Sequence, residues 1–198
     1  MSDSSKIICL EGYIENNKQL ATDLINELQR EKIIEGELSD STLGGLGYAK
    51  GSEISKAVQF PEETAFLSLN GVKVSLEPSV YYSGEINPEF VVICPKCNQN
   101  WFKDISVVDF YTENLTKEQL QSYDDFVTSI YVYDGKDQFL KCNHCKVESE
   151  ISSYNYQGMI TFSNLALEFY NWGDFKDSFI SHVEKNLGHK VIIYSMSY

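Results

Sequence analysis

Four of the five cysteines stand in two Cys-x-x-Cys pairs, Cys94-Pro-Lys-Cys97 and Cys142-Asn-His-Cys145. A thiolate is a soft, charged donor, and a two-residue spacer lets one tight turn aim two sulfurs at one point. Two such turns face to face supply four sulfurs, which suits a single tetrahedral Zn2+ held by Cys94, Cys97, Cys142 and Cys145. A redox pair would need one Cys-x-x-Cys to open a helix, where the dipole lowers a thiol pKa, and neither pair begins a helical pattern. Four cysteines also close the coordination shell, whereas a catalytic zinc keeps one position for water. One structural zinc ion is the expectation. His144 lies between two ligands, and its ring is expected to point away from the sulfurs into solvent. The fifth cysteine, Cys9, sits in the apolar run from Ile7 to Leu10 and reads as a buried thiol.

Little else in the chain has the spacing of a reacting site. His182 falls three residues beyond Phe179 in a helical pattern, a packing or surface position rather than that of a base, and His189 follows in the next segment. No Gly-x-Ser-x-Gly, His-Glu-x-x-His or Cys–His nucleophile pattern is present. An enzyme would need carboxylates that converge only in the fold. Residues 36–52 hold Gly44, Gly45, Gly47 and Gly51, but they run Lys50-Gly51-Ser52 where a phosphate-cradling loop needs Gly-Lys-Ser/Thr. That stretch reads as a mobile surface loop.

Charge narrows the classes further. Sixteen bases stand against 29 acids, for a net charge of −13, and Arg30 is the only arginine. A protein that neutralises phosphates needs clustered Lys and Arg, so nucleic acid and anionic membrane are disfavoured while a basic partner is attracted. Between Cys94 and Cys145 five lysines face eight acids, and no basic stripe emerges. The aromatics of that stretch, Trp101, Tyr111, Tyr123 and Tyr131 among them, read as core or as a protein interface. The opening MSDSSKIICLEGYI has neither a basic n-region nor a long apolar stretch, and no apolar run approaches the ~20 residues of a membrane span. A cytoplasmic address is expected, where thiols stay reduced.

These candidates must be positioned by a mixed set of elements. Lys6–Ile14 reads as a buried strand, and Leu20, Leu24 and Leu28 give the next segment one apolar helical face, capped by Asn16 or Asn17. Two strand-like runs flank Asn70-Gly71, a hairpin signal. Glu89–Ile93 reads as a strand leading into Cys94, and residues 138–141 as another leading into Cys142. Between the pairs, Thr116-x-x-Gln119 is a capping box that opens a helix. Residues 161–172 are strand-like. Asp174 then caps a helix whose face is Phe175, Phe179, Val183 and Leu187 and whose stop is Gly188, and 189–198 closes as a strand.

Strand-led Cys-x-x-Cys turns facing each other resemble a zinc ribbon, and Cys-Pro-x-Cys strengthens the likeness. Many ribbons place glycine after the second cysteine of each turn; here those positions hold Asn98, a mild departure, and Lys146, a real mismatch. The tail, with Phe169-Tyr-Asn-Trp172 and Leu187-Gly-His-Lys-Val191, is similar to small uncharacterised bacterial proteins, some labelled sugar ABC transporter ATPases. That label finds no Walker A sequence here, so the resemblance implies kinship without an activity. The expected architecture is α+β: a mixed, antiparallel-rich sheet with two main helices, ferredoxin-like, carrying an inserted zinc-ribbon-like module. Residues 1–89 form its N-terminal part, 90–150 the module, and 151–198 a closing β-α-β. The function expected is non-catalytic protein binding, most specifically a cytosolic immunity protein that inhibits a toxin with a basic cleft. Tyr123, Asp124 and Asp125 are its candidate contacts, against a plain surface-helix role for the same residues. A zinc-ribbon regulator of transcription or translation, or an enzyme with an unrecognised carboxylate site, is the alternative.

Overall fold

The computed structural model describes residues 3–64, 67, 69–135 and 138–198. They fall into two compact units, one made of residues 1–77 and 163–198, the other of Pro78–Phe162.

The first unit is a six-stranded sheet. Its strands are β1 (Ser4–Cys9), β2 (Ile34–Thr42), β3 (Gly45–Lys50), β4 (Gly71–Ser75), β9 (Ala166–Tyr170) and β10 (Ile192–Ser197). Their order is β10-β1-β9-β4-β3-β2, with every neighbouring pair antiparallel. Two helices, α1 (Asn17–Arg30) and α4 (Asp177–Leu187), pack on each other and on the sheet. The period of four in α1 buries Leu24 and Leu28, and that in α4 buries Phe179, Val183 and Leu187. They meet Ile8, Val72, Leu167 and Phe169 of the sheet in one apolar cluster. Gly188, at φ 70°, ends α4 where a side chain would be strained. The coarse reading of helices on an antiparallel sheet thus matches.

Several local expectations do not. Residues 36–52 are not a loop: they form most of the β2–β3 hairpin. Two of their glycines serve close packing: a Cβ on Gly47 would sit 2.4 Å from Thr42 Cγ2 and 2.8 Å from the Val72 carbonyl oxygen, and one on Gly51 2.2 Å from the Lys32 carbonyl oxygen. Lys50 ends β3 with its ammonium on the Thr64 carbonyl, 2.6 Å away. The Asn70-Gly71 hairpin is not made among the described residues. Gly71 opens β4, whose partners are β3 and β9, although Ala65, Phe66 and Ser68 of the expected first arm lie outside the described residues. Asn16 is the N-cap of α1 without a side-chain capping bond, and Asn17 instead donates to the carbonyls of Leu76 and Asn164. Asp174 does not cap α4, whose N-cap is Lys176; it pairs with Lys6 at 2.9 Å, which holds its carboxyl below the usual range.

The second unit holds β5 (Ser79–Tyr82), α2 (Val107–Tyr111), α3 (Lys117–Tyr131), β6 (Phe139–Lys141), β7 (Glu148–Glu150) and β8 (Ile160–Ser163). β5 pairs with β8, and β6 with β7. The capping box at Thr116 and Gln119 is present in full. Val92, Trp101, Phe102, Phe126, Ile151 and Tyr156 belong to a second apolar cluster, which also takes in Cys94 and Cys142. Glu89–Ile93 is not a strand: only Ile93 bridges, to Asn100 and Asn155. The stretch 161–172 is broken at Asn164 and Leu165, so its halves serve different sheets. No helix of the described residues is long and apolar enough to cross a membrane.

Candidate metal centre

The two Cys-x-x-Cys turns have the same backbone construction. In the first, the Cys94 carbonyl accepts from Asn98 N at 3.0 Å, Cys94 N donates to Gln99 O at 3.0 Å, and Lys96 N points at Cys94 Sγ from 3.4 Å. In the second, the Cys142 carbonyl accepts from Lys146 N at 3.0 Å, Cys142 N donates to Val147 O at 3.0 Å, and His144 N points at Cys142 Sγ from 3.4 Å. Asn98 and Lys146 both lie in the left-handed region, at φ 57° and 64°. The Lys146 mismatch is therefore one of residue type alone: the backbone there takes the conformation that glycine takes most easily.

Folding closes the long interval between the pairs and brings all four sulfurs within 4.8 Å of one another. Cys94 Sγ and Cys145 Sγ stand 3.9 Å apart, and Cys97 Sγ and Cys142 Sγ 3.8 Å. A tetrahedron with a metal about 2.3 Å from each sulfur has edges of about 3.8 Å, so the quartet could hold a metal ion. Burial opposes ionisation of Cys94, yet the N–H groups of Cys97 and Lys96 outweigh it and bring the thiol down to about 7. Burial pushes Cys142 up to about 12, and its hydrogen bond with Cys94 adds to the rise. One sulfur of the quartet thus ionises readily and makes the next ionisation harder, a repulsion that a bound cation relieves.

Three residues with no motif of their own hold the turns together. His144 is not exposed: its ring is half-buried, with Nε2 2.8 Å from the Asn100 carbonyl and Nδ1 3.7 Å from Asp104. It ties the second turn to the chain just after the first and is not among the clustered donors. Asn143 donates to Trp101 O and Ser122 Oγ, each at 2.9 Å. Tyr154 is buried, and desolvation and then the neighbouring Cys94 and Cys142 keep its hydroxyl protonated beside the sulfurs. The hydrogen-bond acceptors of Asn143 and His144 lie 21 to 44 residues away in the chain, so no local pattern announces them.

Of the contact candidates, Tyr123 is half-buried, its hydroxyl donating to Ile86 O at 2.6 Å and its ring 4.8 Å from that of Phe110. Asp124 and Asp125 are exposed on α3, with Asp125 accepting from Gln121. Cys9 is buried as expected, and desolvation pushes its thiol up to about 12. In the other unit, His182 Nε2 comes within 3.9 Å of both Glu27 and Glu31, with Arg30 paired to Glu27. The tail segments quoted for the bacterial likeness also have structural roles. Asn171 binds Ser4 N and Leu69 O, Trp172 Nε1 binds Asn70 O, and Lys190 pairs with Glu184. No family model matches the chain, and neither does any curated protein or solved structure.

Proposed function

We propose that this chain is a zinc-holding, non-catalytic protein-binding protein, most specifically an immunity protein that blocks a cytosol-acting toxin with a basic cleft. The zinc assignment rests on the all-sulfur donor set, which favours zinc and leaves no position for a reacting water once all four thiolates bind. In this reading the centre is a ribbon-like staple for its unit.

The observation that carries the binding function is a surface of the cysteine-bearing unit on which aromatic and acidic groups lie side by side. Tyr131, Val108 and Tyr111 are 70%, 69% and 62% exposed. Tyr131, Glu85, Asp124 and Tyr111 all lie near enough to Tyr123 to raise its pKa, after burial itself. Exposed aromatics make interface anchors, and acids around them steer and orient a basic partner. Half-buried Tyr123 supports this patch, and Asp124 and Asp125 sit on its helix. The test is to express a toxin candidate encoded beside this chain with and without it. Rescue of growth that is lost in the Asp124→Lys, Asp125→Lys double variant is expected; equal cell death with and without the wild-type chain overturns the immunity reading.

A further inference from the structure

The sheet unit carries a second group of metal-ligand side chains, built from different donors. Glu27 lies in the last turn of α1, Glu31 is that helix's C-cap, and His182 reaches them from the middle of α4. A spacing of four puts both carboxylates on one face of α1, and α4 packs beside it. One oxygen of each carboxylate and the ring Nε2 lie within 4.8 Å of one another, and Nε2 is 3.9 Å from both oxygens. The side chains of Glu27, Glu31 and His182 keep 15%, 33% and 27% of their exposure, so an ion in solution reaches all three.

A doubly protonated ring held between two carboxylates would explain such a group, but two distances oppose it. A charge-assisted N–H···O bond is about 2.7–2.9 Å long, and Nε2 is too far from either oxygen to make one. Asn186 supplies the second, from outside the group. Its Nδ2 is fixed as the donor end of the amide by the His182 carbonyl at 2.9 Å, and it also stands 3.3 Å from His182 Nε2. A donor facing Nε2 makes that nitrogen the acceptor and puts the ring proton on Nδ1. An imidazole lone pair and two carboxylate oxygens therefore face one another with no hydrogen between them. Arg30 pairs with Oε2 of Glu27, the oxygen turned from the ring, and among the described residues neither Oε1 accepts a hydrogen bond. The end of α1 adds its own negative partial charge to the crowding. A cation among the three donors relieves all of these repulsions together.

We propose that Glu27, Glu31 and His182 bind a divalent first-row transition cation, with its remaining coordination positions open to water. Donors around an ion with bonds of about 2.0–2.1 Å stand about 3.4 Å apart in a tetrahedron, so a shift of about half an ångström in the flexible carboxylates closes the set. One imidazole with two carboxylates suits the harder members of the series, such as Mn2+, where four thiolates suit zinc. The site lies within the sheet unit, uses no cysteine and does not depend on the immunity reading. Because its donors come from α1 and α4, a bound ion also ties those helices together.

The experiment uses the full chain with zinc already loaded at the cysteine quartet, and Mn2+ alone as the probe. Manganese is paramagnetic and binds thiolates poorly, so it reports on nitrogen and oxygen donors. Electron paramagnetic resonance of the free ion should show one saturable site below millimolar Mn2+, and the ring NMR signals of His182 should broaden before those of His144 and His189. Glu31→Gln and His182→Gln should each weaken binding by at least about tenfold, with Trp172 fluorescence unchanged as the check on folding. Saturating Mn2+ should also raise the melting midpoint read at Trp172 in the wild type and leave that of Glu31→Gln where it was. The absence of saturation at millimolar Mn2+, or wild-type affinity in both variants, overturns the site. Displacement by an equal concentration of Mg2+ overturns the transition-metal assignment and leaves only adventitious carboxylate binding. Nitrogen chemical shifts that show both ring nitrogens of His182 protonated at neutral pH, before metal is added, overturn the tautomer on which the site rests.

Discussion

Replacing Cys142 by Ser removes the most buried of the four sulfurs, and the structure allows its cost to be worked out. Cys142 is 0% exposed and belongs to the apolar cluster of its unit. A structural zinc site contributes roughly 10–16 kcal/mol of apparent binding, or about 3 kcal/mol per thiolate if shared evenly. A serine hydroxyl is a poor ligand at neutral pH, and left unpartnered in an apolar setting it costs a further ~1–3 kcal/mol. A total of about 4–6 kcal/mol corresponds to a fall in Tm on the order of 20 °C or more for a domain of this size. The two tryptophans make the assay selective: Trp101 lies in the core of the cysteine-bearing unit and Trp172 in that of the sheet unit. Trp172→Phe leaves a reporter of the first kind, Trp101→Phe one of the second. Melting followed at Trp101 should fall steeply in Cys142→Ser and in chelator-treated wild type, and that followed at Trp172 should move less. A Trp101 midpoint within a few degrees of the zinc-loaded wild type would refute a structural metal.

Phe179, 2% exposed with ring contacts to Phe169 and Phe175, should cost about 3–5 kcal/mol on change to Ala, read by urea unfolding at Trp172; a negligible loss would refute the assigned face of α4. Lys146→Gly relieves a left-handed backbone and should keep or raise stability by up to ~1 kcal/mol, whereas Lys146→Val should lower the Trp101 midpoint. Asp174 titrates below its unfolded value because of Lys6, so its contribution is present above the ordinary carboxylate pKa and fades as pH falls through the lowered one. Asp174→Asn should accordingly be less stable near neutrality and indistinguishable from wild type in acid, and an NMR titration giving Asp174 an ordinary pKa would contradict the pair.

What was legible in the sequence is what local spacing encodes. The period of four in α1 and α4, the Thr116–Gln119 box and the Gly188 stop each depend on residues within a turn or two, and each is present. The cysteine quartet was legible for the same reason, because each half is complete in four residues. The misreadings came from residues whose roles are set by distant neighbours. Gly47 looks like a loop glycine until Thr42 and Val72 crowd it, and Asp174 looks like a cap until Lys6 arrives from β1. Asn70-Gly71 carries a hairpin signal, yet among the described residues the partners of β4 are β3 and β9.

The position of β1 has a consequence for synthesis. Ser5 lies between Met196 of β10 and Tyr170 of β9, so β1 must wait for two strands made more than 150 residues later before its edges are covered. Until then Ile7, Ile8 and Cys9 present an unpaired apolar strand to the cell, a hazard for aggregation. The cysteine-bearing unit is continuous in the chain and can close earlier. Its β5–β8 pairing joins residues 79–82 to residues 160–163, shortening the loop that separates β1 from its partners. On this view, zinc supply while the chain is being translated governs how long the nascent sheet stays open, and zinc starvation should appear first as aggregated newly made protein rather than as loss of protein already folded.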